Sequence, residues 1–122
     1  MQRPLVSIVM NCHNGELYLK EALDSIFNQT YKNWEIIFFD NASSDRSSEI
    51  AQSYGKKLKY FYNKEIITLG QARAEAINLC SGDWICFLDT DDLWFEKKLE
   101  IQLNSVQGTN YILTYAAVEE VD

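Results

Sequence analysis

LVSIVMNCHNGELYLKEALDSIFNQTYKNWEIIFFD, residues 5–40, sets two short runs of β-branched and aromatic residues on either side of a segment with helical spacing. The first run, LVSIVM (5–10), is nearly all apolar and lies between Pro4 and the turn-forming NCHNG, as suits a strand buried on both faces. Next, Leu19, Leu23, Ile26 and Phe27 recur at intervals that predict a helix, with Asn14 as its N-cap. WEIIFFD (34–40) repeats the strand pattern. Strand, helix and strand of this kind make a βαβ unit.

The same alternation continues outward. NASSDRSSEIAQSYG (41–55) reads as a second helix, capped by Ser43 or Ser44, with Ile50, Ala51 and Tyr54 inward and Gly55 as its stop. LKYFYN (58–63) is a third strand, TLGQARAEAINLCSG (68–82) a third helix closed by Gly82, and WICFLD (84–89) a fourth strand. LWFEKKLEIQLNSVQG (93–108) presents Leu99, Leu103 and Val106 on one helix face, and YILTYAAV (111–118) reads as a fifth strand. No repeat, linker or low-complexity tract interrupts the 122 residues. The expected fold is α/β: one domain over residues 1–122, built on a mostly parallel sheet with helices on both faces.

In such sheets ligands collect beyond the carboxyl ends of the strands. The polar residues that follow each strand are Asn11 to Asn14, Asp40 and Asn41, Asn63 and Lys64, and Asp89 to Asp92. The last group, in FLDTDDLW (87–94), crowds Asp89, Asp91 and Asp92 together despite their repulsion. Two aspartates one residue apart on a turn can aim hard oxygens at one point, which suits Mg2+ or Mn2+ arriving with a diphosphate. The alternative is that Asp91 or Asp92 caps a helix beginning near Leu93, with Asp89 in a turn.

Composition narrows the partners. Eleven basic against 18 acidic residues, a net charge of −7, give no long-range attraction to nucleic acid or an anionic bilayer, so a polyanionic ligand needs a metal or a few placed cations. Cys12, Cys80 and Cys86 form no CxxC pair and read as reduced thiols in or near the core, as in a cytoplasmic protein. The N-terminus lacks the pattern of a signal peptide, and no segment reaches the roughly 20 apolar residues of a membrane span.

PLVSIVMNCHNGELYLKEALDSIFNQTYKNWEIIFFDNASSDRS resembles the opening of the family 2 inverting glycosyltransferases, and GDWICFLDTDDLW resembles the stretch that carries that family's DxD motif. The resemblance implies the GT-A fold, a Rossmann-like three-layer sandwich. It also implies a metal-dependent transfer of sugar, with inversion, from a nucleotide sugar, here expected to be a UDP-sugar, to a glycan or lipid-linked acceptor. Mapped residue by residue, it assigns nucleotide contacts to Asn11, His13, Asp40, Asn41, Arg73, Asp89 and Asp91, and the metal, Mn2+ or Mg2+, to Asp91 with Asp89 and Asp92. Asn41 stands where many relatives have a second Asp, and Ala74 follows Arg73 where many have Asn. The residues themselves leave other roles open: a turn for His13, a turn brace for Asp40, an ion pair with Glu75 or another acid for Arg73. Lys56, Lys57 and Lys59 read as solvated surface, and Trp34, Tyr60, Phe61 and Tyr62 as packing rather than a sugar platform.

The general base of such a transfer belongs to an acceptor-binding part beyond the DxD, and Glu119, Glu120 and Asp122 lie too close to the motif to supply it. The chain is therefore expected to be the donor-binding, N-terminal portion of a truncated or longer transferase, peripheral to the inner face of the membrane in its full form. The alternative is a non-catalytic nucleotide-binding or dimerisation module. YILTYAAV, left without its neighbours, is expected to support a homodimer.

Overall fold

A computed structural model describes residues 3–106. Within them four strands, β1 (Val6–Cys12), β2 (Trp34–Asn41), β3 (Leu58–Asn63) and β4 (Trp84–Phe87), alternate with the helices α1 (Glu16–Phe27), α2 (Ser47–Gln52), α3 (Leu69–Asn78) and α4 (Lys98–Val106). All paired strands are parallel and the order across the sheet is β3-β2-β1-β4. The predicted fifth strand, with Glu119, Glu120 and Asp122, lies outside the described residues.

Alternation along β1 separates the two faces. Val6, Ile8, Met10 and Cys12 pack with Leu19, Leu23 and Ile26 of α1, Ala51 of α2 and Leu99 of α4. Val9 joins Ile37 and Phe39 under Ala72 and Ala76 of α3 on the opposite face. Helices thus cover both faces, and the near-continuous burial of β1 and β2 follows from that. The strand order reverses between β1 and β4, so the crevice between their carboxyl ends is a topological switch point, where open α/β sheets bind ligands.

A second polar row crosses the amino end of the sheet. Glu35, 6% exposed, accepts from Ser7 Oγ at 2.6 Å, Lys59 Nζ at 2.6 Å and the Ser81 N–H at 2.7 Å. Lys59 is exposed, as expected of surface, and it also pairs with Glu35. Lys57, likewise, lies over the Trp34 ring with Nζ 3.6 Å from its centroid. Gly82 does not close α3, which ends four residues earlier. It lies where a Cβ would stand 2.6 Å from Ser7 Oγ, 2.7 Å from Ser7 N and 2.8 Å from Leu5 O.

Three cap expectations are corrected. The cap position of α1 is Gly15, not Asn14; Asn14 is left-handed at φ 53°, and its Oδ1 accepts from the N–H groups of Ser44 and Asp45. Two N–H groups at the start of α1 are instead satisfied across the fold, Gly15 N–H by Ser47 Oγ at 2.9 Å and Glu16 N–H by Asp45 Oδ2 at 3.1 Å. The cap position of α2 is Arg46, not Ser43 or Ser44, because Ser43 bonds Asn14 N–H and Asp40 instead. No helix begins at Leu93: α4 starts at Lys98, so neither Asp91 nor Asp92 is a helix cap.

Candidate functional site

The candidate site is the carboxyl edge of the sheet, and register brings its residues there. Cys12 pairs with Asp40 and Asn41 with Asn63, so the ends of β1, β2 and β3 lie level. Next to β1 on its other side, the Leu88 N–H donates to Val9 O at 3.1 Å, which carries β4 into the acidic turn.

That turn gathers three exposed carboxylates. One oxygen from each of Asp89, Asp91 and Asp92 lies within 4.8 Å of the others. The turn is closed by the Asp92 N–H donating to Asp89 O at 3.1 Å. Partial burial pushes the Asp92 carboxyl above its ordinary value, and the charges of Asp91 and Asp89 push it the same way. A cluster of hard oxygens that repel one another is the donor set a divalent cation fits. Beside it, Arg73 of α3 holds its guanidinium 3.9 Å from Asp89 Oδ1 and 5.9 Å from the Phe87 ring centroid. Arg73 thus pairs with Asp89, an acid other than Glu75, across the site.

The second group lies at the ends of β1 and β2. His13 is exposed, and its Nδ1 is 2.6 Å from the carbonyl oxygen of Asn41. A carbonyl only accepts, so Nδ1 carries the proton and Nε2 keeps a lone pair unless the ring is charged. The Asn14 Nδ2 stands 3.4 Å from that Nε2. Asn11 Nδ2 is buried without a hydrogen-bond partner among the described residues, which marks the end of β1 as a place where an acceptor is wanted.

Asp40 and Asn41 are more deeply engaged than the sequence suggests. Asp40 is wholly buried; its Oδ1 accepts from the Ser43 N–H at 2.9 Å and its Oδ2 from the Tyr60 hydroxyl at 2.5 Å. Burial, then the neighbouring Asp40, pushes the Tyr60 hydroxyl up to about 12. Asn41, 8% exposed, donates from Nδ2 to Ile67 O at 2.8 Å and accepts at Oδ1 from the Ile67 N–H at 3.0 Å. This two-point pairing fixes the chain just ahead of Thr68, whose side chain and that of Gln71 form a capping box on α3. Asn41 thereby fixes the approach to the helix that carries Arg73.

Sequence reasoning missed Tyr60 as the partner of Asp40, Ile67 as the partner of Asn41, and Gly15, which lies against Thr90 inside the acidic turn. Each depends on contacts between segments distant in sequence, which local pattern does not carry.

Residues 7–122 match the family "Glycosyl transferase family 2". An uncharacterised glycosyltransferase of Rickettsia typhi is 40% identical over 121 residues, which is 98% of this chain and 38% of that protein. The Escherichia coli enzyme WfgD, named a UDP-Glc:alpha-D-GlcNAc-diphosphoundecaprenol beta-1,3-glucosyltransferase, is 33% identical over 119 residues, 97% of this chain and 47% of that protein. The chain thus spans less than half the length of these relatives. Crystal structures of S. aureus TarS share the fold at a TM-score of 0.79 and 24% identity; in the crystal of TarS residues 1–349 the match covers 83% of this chain and 32% of that one. A Pyrobaculum calidifontis mannosyltransferase solved with GDP-Man and Mn2+ matches at a TM-score of 0.70 and 24% identity, over 76% of this chain and 29% of that one. With the family's pattern running from residue 7 to residue 122 and a GT-A fold beneath it, the chain belongs to glycosyl transferase family 2.

Proposed function

We propose that this chain is the donor-binding portion of a metal-dependent glycosyltransferase that takes a UDP-sugar and passes the sugar, with inversion, to a glycan or lipid-linked acceptor. The convergence of Asp89, Asp91 and Asp92 within 4.8 Å, at the switch point of a parallel sheet, is the observation that carries this reading. The names of related proteins support it: WfgD is named for a UDP-Glc donor and a diphosphoundecaprenol-linked acceptor, and TarS has been crystallised with UDP and with UDP-GlcNAc.

In this reading Asp91, with Asp89 and Asp92, holds Mn2+ or Mg2+, which supplies charge neutralisation for a diphosphate leaving group. Arg73 offers a permanent planar cation to a phosphate or a base carbonyl. His13 and Asn11 meet the nucleoside at the end of β1. Asp40 and Asn41 contribute to the nucleotide site through the loops they brace. The general base lies in an acceptor-binding part of the whole protein, which is peripheral to the cytoplasmic face of a membrane. Among the described residues no helix is long and apolar enough to cross one.

Binding of UDP, GDP and dTDP to the chain in the presence of Mn2+ tests the donor assignment. UDP should bind tightest; a preference for GDP would refute the uridine reading. Donor turnover by the isolated chain would show that it carries its own base, whereas binding without turnover would support the donor-portion reading. Self-association through YILTYAAV (111–118) predicts a concentration-dependent sedimentation coefficient, and a strictly monomeric profile would count against it.

A further inference from the structure

The acidic turn meets the first helix at a position that has no side chain. Gly15, at the N-terminus of α1, has φ −101° and ψ 17°, a conformation other residues also adopt. Backbone freedom therefore does not explain the glycine, but space does. A Cβ on Gly15 would stand 2.8 Å from Oγ1 and 3.1 Å from Cβ of Thr90, and 3.2 Å from Cys12 Sγ. Thr90 is the residue between Asp89 and Asp91.

Little around this contact can yield. Rotating Thr90 about χ1 moves Oγ1 away but leaves its Cβ, whose place is set by the backbone of the turn. Cys12 is buried, with Sγ 3.9 Å from Ser43 Oγ. Gly15 is itself anchored by its N–H to Ser47 Oγ at 2.9 Å, and the next N–H is held by Asp45. A side chain at position 15 would therefore be accommodated mainly by movement of the turn.

We propose that Gly15 is a positioning residue for the acidic turn: its missing side chain sets where Thr90 sits, and through Thr90 how the carboxylates of Asp89 and Asp91 converge on a cation. The consequence for the cation rests on the metal-binding role proposed above; the consequence for the turn does not. Residues that orient metal ligands without touching the metal typically change affinity by about 10–100-fold when altered.

The test uses the full chain, Gly15→Ala, Thr90→Gly and the double variant, with two readouts: amide hydrogen exchange, and titration of Mn2+ without nucleotide. In Gly15→Ala the Asp92 amide, which closes the turn onto Asp89 O, should exchange faster while amides of β2 keep their rates. Mn2+ affinity should fall about tenfold. Because Thr90→Gly removes both the atom at 2.8 Å and the Cβ at 3.1 Å, Gly15→Ala should do much less in the Thr90→Gly background than in the unaltered chain, a non-additivity that two independent sites would not show. The proposal is overturned if the Asp92 amide is unaffected, if exchange rises equally across the chain, or if Gly15→Ala does as much in the Thr90→Gly background as in the unaltered chain. Should the unaltered chain bind no Mn2+, the metal reading fails while the exchange data still decide whether Gly15 positions the turn.

Discussion

Asp40 and Asn41 stand side by side at the end of β2 and face different needs. Asn41 meets both a donor and an acceptor on Ile67, so only an amide satisfies the pair. Asn41→Asp keeps the size but turns an oxygen toward Ile67 O. We expect a loss of about 1–3 kcal/mol in denaturant unfolding and weaker UDP binding, since the approach to the helix bearing Arg73 loosens. Tyr60→Phe leaves Asp40 Oδ2 buried without its partner and should cost a similar 1–3 kcal/mol by thermal unfolding. The acidic triad was legible in the sequence because its members are neighbours. The engagements of Asp40 and Asn41 were not, since they depend on residues 20 and 26 positions away.

At the scale of elements, the strands were legible because apolar runs flanked by turn residues mark sheets buried on both faces. WEIIFFD and LKYFYN lie within or match β2 and β3 as observed. Helix ends were less legible. Asn14, Ser43 and Ser44 are good local caps, but here they tie the β1 and β2 loops to each other, and that tertiary demand wins. The glycines show the same division. Gly70, inside α3 with open space around it, should gain about 0.5–1 kcal/mol as Gly70→Ala. Gly82→Ala should destabilise, because its Cβ would meet the backbone of Leu5 and Ser7. Chemical denaturation of the two variants should move the midpoint in opposite directions.

Across the whole molecule, polarity is divided between the two ends of the sheet. At the amino end Glu35 joins β1, β2, β3 and the entry to β4 through satisfied bonds. Burial raises the Glu35 carboxyl, yet Lys59, Ser7 and the Ser81 N–H outweigh it and hold it below the ordinary glutamate value. A depressed folded value means this stabilisation is complete above the unfolded pKa, about 4.3, and is lost as pH falls through the folded one. Glu35→Gln should therefore show a shallower loss of stability below about pH 4 than the unaltered chain. At the carboxyl end Asp89, Asp91 and Asp92 are exposed and held close, with Arg73 their one ion-pair partner among the described residues, the arrangement that the proposed cation site requires. The measurement that tests this most directly is calorimetric titration of UDP into the chain with Mn2+, with EDTA, and into Asp91→Ala with Mn2+. Binding that needs both the metal and Asp91 is the predicted result; equal binding in all three, or none in a protein shown to be folded, would contradict it.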